Sequence, residues 1–212
     1  MGERMSYEVH DLNGGFMIDN LHGHLLFIAE SPTAVHRAHF VVEDEFGVLT
    51  TARAFDAYPR DAHPTDPNHV VVEVGAGLGG FIPALARRHQ GQLVVIDPFD
   101  YTMAKEMLEF AEQLSLNDWQ RSHVEDLLDR CGIYLDSSRV HLVSSRLDEA
   151  LAREPSLAAS ADLVVDYYGA MQFTFPGGSS ESHVRDLECR MLRPSGVLVA
   201  KRNGGFPLVI RP

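Results

Sequence analysis

From residue 70 onward, short apolar runs alternate with stretches whose apolar positions recur at helical spacing. VVVEV at 70–74 reads as a buried strand. Residues 81–89 follow as a helix, with Pro83 in its first turn, where a missing N–H does no harm, and Gly91 as its stop. LVVI at 93–96 is a second strand. It is followed by one helix with its stripe at Met103, Met107, Phe110, Ala111 and Leu114, and another at Val124, Leu127, Leu128 and Cys131. VHLV at 140–143, a short helix at 147–152 and DLVVD at 162–166 continue the alternation. Val184, Leu187, Met191 and Leu192 mark the last long helix, and RPSG at 193–196 turns the chain into VLVA at 197–200. Strands separated by crossover helices imply a mainly parallel sheet with helices on both faces, a doubly wound α/β/α arrangement.

The first 67 residues have a different character. HFVVE at 39–43 and VLTTARAF at 48–55 are β-favourable runs around DEFG at 44–47, where Gly47 can take the positive φ of a hairpin loop. The alternative is a helix over 33–45 opened by Ser31-Pro32. YPRDAHPTDPN at 58–68, with three prolines, reads as a linker. The expected division is therefore an N-terminal extension over 1–67 and a main domain over 68–212.

A net charge of −12 and a pI near 5.3 remove the broad basic surface that nucleic acid would demand. Cys131 and Cys189 form neither a disulfide framework nor a zinc knuckle, and Cys131 is expected to pack near a helix end. No basic-then-apolar leader and no apolar run of membrane-spanning length is visible, so a soluble cytoplasmic protein is the expectation. His22-Gly-His24 and His36-Arg-Ala-His39 have ligand-like spacing but no third ligand nearby, so no metal is expected. One of these histidines can still serve as a general base near neutral pH.

Ligands of open parallel sheets sit at the carboxyl ends of the strands, where strand order reverses. The first strand ends in EVGAGLG at 73–79, then Gly80 and the helix. Glycines at 75, 77 and 79 permit a tight turn and close approach of a ligand to the backbone. Such a loop alone is compatible with NAD or with a mere tight connection. Asp97, at the end of the second strand, is placed to accept both hydroxyls of a ribose, or else to cap the Asp97-Pro98 turn. Phe99 then lies against an adenine face or in the core.

These residues resemble the class I S-adenosylmethionine-dependent methyltransferase family, over roughly residues 68–203. EVGAGLG looks like its first motif, Asp97 like its ribose carboxylate, DLVVD at 162–166 like its fourth-strand motif, and LRPSG at 192–196 like the turn before its fifth strand. The resemblance implies a Rossmann-like fold and S-adenosyl-L-methionine as cofactor. Glu73 would orient the amino end, Gly75, Ala76 and Gly77 would admit the methionine portion, and Asp97, Pro98 and Phe99 would hold the nucleoside. The glycines run GxGxGG rather than the GxGxxG of NAD enzymes. Two departures stand out. SSRL at 144–147 lacks the acidic residue that often meets adenine, leaving Ser145, Arg146 and Leu147 as the expected contacts. The residues after 200 are too few for the family's last helix and strand pair, so FPLVI at 206–210 supplies one short strand at most. The 39–55 hairpin is then expected to fill the vacant sheet edge or to cover the cofactor.

The acceptor is expected at YYGAMQFTFPGG, 167–178, together with part of the N-terminal segment. Asp166 is the candidate base or orienting carboxylate, with a strand-end cap as its alternative. Tyr167 and Tyr168 are pocket walls or proton donors. The function expected is methyl transfer to a small-molecule acceptor, with no nucleic-acid or membrane partner and homodimerisation left open. A weaker resemblance, to spermidine synthases, implies aminopropyl transfer. Against it, Leu78 stands where that family's loop usually has Asp, and its catalytic Asp falls near Gly169. A non-catalytic nucleoside-binding module is the third reading.

Overall fold

The computed structural model describes residues 6–20, 22–33, 38–43, 49–53, 64, 66–167, 181–201 and 207–210. The chain divides into two compact units, one of residues 1–55 and 100–132, the other of 56–99 and 133–212. The first unit thus draws on residues 100–132, which a single cut after residue 67 assigns to the main domain.

The first unit carries a five-stranded antiparallel meander: β1 (Glu8–Leu12), β2 (Gly15–Asp19), β3 (His24–Ala29), β4 (Ala38–Glu43) and β5 (Leu49–Arg53), in that spatial order. The expected hairpin is present as β4 and β5, paired from His39↔Arg53 to Glu43↔Leu49, which excludes the helix over 33–45. The three strands before it were not expected. β1 is exposed along its length and has no apolar alternation, whereas β2 alternates, burying Phe16 and Ile18. Gly14, at φ 93°, makes the first turn, and a Cβ on Gly15 would lie 2.2 Å from Ile28 O. Helices α2 (Tyr101–Ala111) and α3 (Asp118–Leu135) follow one another in the chain after a shorter helix described below. Asp100 caps α2, accepting from Met103 N at 2.9 Å. The buried face of α2 is Tyr101, Ala104, Met107, Leu108 and Ala111, rotated from the expected stripe. Met103 instead receives Asn20 Nδ2 at 3.2 Å, and Phe110 stacks on Tyr7 at 4.5 Å. Cys131 is buried within α3 and, like Cys189, is free.

The second unit is built on a six-stranded sheet. Its strands are β6 (Val71–Val74), β7 (Leu93–Ile96), β8 (His141–Val143), β9 (Ala161–Asp166), β10 (Leu192–Lys201) and β11 (Pro207–Ile210), in the order β11-β10-β9-β6-β7-β8. All neighbours are parallel except β10 and β11. The order reverses between β6 and β9, the switch point of a Rossmann-like α/β fold. The edge beside β10 is taken by β11, so the expectation that the 39–55 hairpin fills it is corrected: the hairpin belongs to the other sheet. The register of β10 shifts between Leu192 and Val197, where a turn was expected.

The helices of this unit are α1 (Phe81–Ala86), α4 (Leu147–Arg153) and α5 (Glu181–Met191). Strand alternation sends Val72, Val74, Val94, Ile96, Val164, Leu198 and Ala200 into one apolar core with Leu147, Ala150 and Leu151 of α4 and Val184, Leu187 and Met191 of α5. Glu73 points to the opposite face, where it meets the start of α1. At the other end of the strands, Asp162 accepts from Val70 N at 2.8 Å and pairs with Arg193. Among the described residues, no helix is long and apolar enough to cross a membrane.

Candidate functional site

The carboxyl end of β6 runs into the glycine turn. Gly75 (φ 66°) and Gly77 (φ 52°) adopt the left-handed conformation that costs other residues about 1–2 kcal/mol. Gly75 N donates to Ile96 O at 2.9 Å, and Gly79 N donates to Ala76 O at 2.9 Å, closing the turn. A Cβ on Gly79 would stand 2.8 Å from Ala76 O. Gly77 and Gly79 therefore serve different needs, positive φ at the first and space at the second.

Asp97 leaves the end of β7 and is 5% exposed. Its Oδ2 accepts from Gly77 N at 2.6 Å and its Oδ1 from Phe99 N at 2.9 Å. Of the two alternatives read from the sequence, the turn contact is present, and the same side chain also braces the glycine loop. Phe99 is buried, and Pro98 is exposed.

Glu73, at 6% exposure, accepts from Ile82 N at 3.4 Å. Burial pushes its carboxyl up to about 8; the Ile82 bond opposes this, while the charges of Asp97 and Asp166 add to it. Tyr134 opposes the rise as well, and its hydroxyl donates to Gly79 O at 2.8 Å. Tyr134 is a member of the site that sequence reasoning missed; its only signal is an aromatic at the end of a helix, which reads equally as core.

After β8, Ser145 is buried, its N–H donating to Val143 O at 2.8 Å. Arg146 pairs with Asp148 at 3.2 Å, and Leu147 packs in the apolar core as the first residue of α4. Of these three, Ser145 and Arg146 keep polar atoms at the strand end, whereas Leu147 is committed to packing.

Asp166 ends β9, in register with Ala200 of β10, and is fully buried. β9 pairs with β6 through Glu73↔Val165, so the fourth parallel strand does adjoin the first. Tyr167 is half-buried, whereas Tyr168 and the rest of the expected acceptor loop lie outside the described residues. The second missed residue is Glu188, on the buried face of α5. Its sequence signal is a carboxylate set in the 184, 187, 191 stripe. The arrangement gathers the carboxyl groups of Glu73, Asp97 and Asp166 at neighbouring strand ends.

In the other unit, His24 Nδ1 meets Asn20 Nδ2 at 3.1 Å, and burial holds the His24 imidazole below its usual pKa. The side chains of His36 and His39 lie outside the described residues. Among the described residues, no group of three His, Cys, Asp or Glu side chains could hold a metal ion.

No family model and no curated protein matches the chain. Solved structures do. Spermidine synthase from Thermotoga maritima is 14% identical over 84% of this chain and 53% of its own, at a TM-score of 0.41. M. jannaschii TYW2 in complex with AdoMet is 18% identical over 82% of this chain and 65% of its own, at 0.37. The antibiotic-resistance methyltransferase Kmr is 21% identical over 69% of this chain and 62% of its own, at 0.36. The chain spans about half to two thirds of the length of the solved structures it matches. They include both families that the sequence resembles, while the fold assignment stands on the strand order and register given above.

Proposed function

We propose that this protein binds S-adenosyl-L-methionine at the carboxyl ends of β6 and β7 and transfers its methyl group to a small-molecule acceptor beside β9. The observation that carries the reading is the clasp of Asp97 on Gly77 N at the switch point, beside the buried Glu73. A positively charged sulfonium ligand with an ammonium group matches these carboxylates. NAD, whose pyrophosphate is anionic, does not.

Methyl transfer asks little covalent chemistry of the protein, because the sulfonium already carries an activated methyl group. Here Glu73 engages the donor's ammonium, Gly75, Ala76 and Gly77 pass close to its methionine portion, and Asp97, Phe99, Ser145 and Arg146 surround the nucleoside. Bound there, the donor would supply the methyl group, with S-adenosylhomocysteine as the leaving product. Asp166 orients the acceptor or takes the proton it releases, with Tyr167 beside it.

Calorimetric titration tests the donor assignment. S-adenosylhomocysteine should bind at least tenfold more tightly than NAD, and the reverse order would overturn the cofactor. Labelled-methyl transfer into a small-molecule extract tests the activity; binding without transfer would leave a nucleoside-binding module in its place.

A further inference from the structure

β1 is the outer strand of the five-stranded meander, and the phase of its hydrogen bonds follows from its neighbours. Asn20 N donates to His24 O at 3.2 Å and Glu30 N to Gly14 O at 2.7 Å, so the even-numbered residues of β2 turn their backbone groups towards β3. Those of Gly15, Met17 and Asp19 therefore face β1, where their partners are Leu12, His10 and Glu8. Val9 and Asp11 are left with N–H and C=O directed away from the sheet. Among the described residues, no strand pairs with that edge.

Edges of this kind are normally blunted by proline, lysine, a bulge or a cover. EVHDL contains neither proline nor lysine, its pairing with β2 runs without a register shift, and every one of its residues is exposed. Its apolar side is unfinished as well. Val9 lies cross-strand from Ile18, Ile18 from Leu26, and Leu26 from Phe40; the last three are fully buried, whereas Val9 is 42% exposed. The row of core side chains thus runs out to the edge and ends uncovered. Tyr7, stacked on Phe110 of α2, holds the entry to the strand in place.

We propose that β1 pairs with β1 of a second copy of this chain, antiparallel about a two-fold axis at Val9, so that the two meanders join into one continuous sheet. The strand's own sequence selects that register. Backbone bonds can be exchanged only between residues that both face outward, which restricts the axis to a residue position rather than a point between two. An axis at Glu8 or at Asp11 sets like carboxylates opposite each other. One at His10 sets imidazole against imidazole and Val9 against the Asp11 carboxylate, and one at Leu12 runs the strand past its own turn. With the axis at Val9, the two Val9 side chains meet on the apolar face, and Glu8 of each copy stands opposite His10 of the other on the opposite face. Glu8 and His10 are then partners of the non-hydrogen-bonded kind, whose Cα atoms come within about 4.5 Å. An imidazole N–H meets a carboxylate there in either protonation state. Val9 exchanges both backbone bonds with its counterpart, and Asp11 exchanges its two with Tyr7 of the other copy. This interface takes nothing from the donor site and is independent of the function proposed above.

Sedimentation velocity of the full chain over a concentration series should show a reversible monomer–dimer equilibrium. Hydrogen exchange locates the interface: the Val9 and Asp11 amides should exchange about tenfold more slowly when roughly nine-tenths of the chain is dimeric, whereas those of His10 and Leu12, bonded to β2, should be protected at every concentration. Val9→Pro removes an N–H that the meander does not use, so it should keep the circular dichroism of the wild type and weaken dimerisation at least tenfold. Glu8→Lys should weaken it about tenfold by placing an ammonium opposite His10, and adding His10→Glu to it should restore the dimer, since opposite charges again face each other across the axis. Should Val9→Pro disturb the fold, the charge exchange decides alone. A chain that stays monomeric at the highest concentration it tolerates overturns the proposal. A dimer that Glu8→Lys leaves unchanged, with Val9 and Asp11 amides that do not slow, overturns it too, because its interface lies elsewhere.

Discussion

Asp97 Oδ2 accepts the Gly77 N–H at 2.6 Å, so the acidic end of one parallel strand grips the glycine turn that follows its neighbour. With Oδ1 on Phe99 N, a single carboxylate fixes both backbone segments that the proposed donor would touch. The loop is thus braced by the chain itself, which would lower the ordering cost of binding there.

Asp97→Ala should weaken S-adenosylhomocysteine binding by about 1.5–3 kcal/mol, the cost of a lost charged hydrogen-bond partner, and should also lower the denaturation midpoint. Asp97→Asn keeps an acceptor for one N–H, so its stability should lie closer to wild type than its affinity does. Titration calorimetry and urea denaturation on the same preparations separate the two effects. Unchanged affinity in both variants would take Asp97 out of the donor site.

The turn has a second brace in Tyr134. Tyr134→Phe removes the bond to Gly79 O and should cost about 1 kcal/mol of stability, with a comparable loss of donor affinity. Gly79→Ala should be worse, by about 1–3 kcal/mol, because its Cβ would meet Ala76 O, a backbone atom that cannot move without opening the turn. Thermal melts with and without S-adenosylhomocysteine rank the two; Gly79→Ala as stable as wild type would mean that the turn is freely deformable.

The residues at the strand ends were more legible than the architecture around them. Glu73, Gly75, Gly77 and Asp97 could be read because strand ends and glycine turns leave local marks, and β6 to β10 because buried parallel strands are short, uninterrupted apolar runs. β1 was hidden for the opposite reason, whereas β2 and β3 do carry local marks, the alternation of Phe16 and Ile18 and the run HLLFIA. β1 buries nothing, and the pairing of Gly15 with Ala29 is a tertiary fact that no local pattern announces. Tyr134 was invisible because it sits near the end of an otherwise ordinary helix, and only its bond to Gly79 O, far away in the chain, distinguishes it from core.

Glu73 links the site to pH. Its carboxyl is raised from 4.5 to about 8, so between those values the folded chain holds a proton that the unfolded chain has lost. The stabilisation from that proton is complete below about pH 4.5 and is lost as pH rises through 8, at a limiting slope of about 1.4 kcal/mol per pH unit. Glu73→Gln should flatten that part of the stability–pH curve. Binding a cationic donor should draw the Glu73 carboxyl back down and release close to one proton near pH 7. Titrations in buffers of different ionisation enthalpy read that release directly, and its presence in Glu73→Gln would assign the proton to another group.

β9 carries two aspartates, and they should separate cleanly. Asp162, at the start of the strand, accepts from Val70 N and pairs with Arg193, an arrangement that joins β9 to β10 and to the residue before β6 but lies at the end of the strands away from the glycine turn. Asp166, at the far end of the same strand, is fully buried and next to the proposed donor. Asp162→Asn should therefore cost about 1–3 kcal/mol of stability while leaving S-adenosylhomocysteine affinity unchanged. Asp166→Asn keeps the shape and an oxygen that can accept a hydrogen bond, so the fold and donor binding should survive. Transfer should fall by about 10²-fold, because an amide neither takes up a proton nor presents a charge to the acceptor. Full transfer by Asp166→Asn would exclude its carboxylate from the chemistry, and loss of donor binding would make it a structural residue like Asp162.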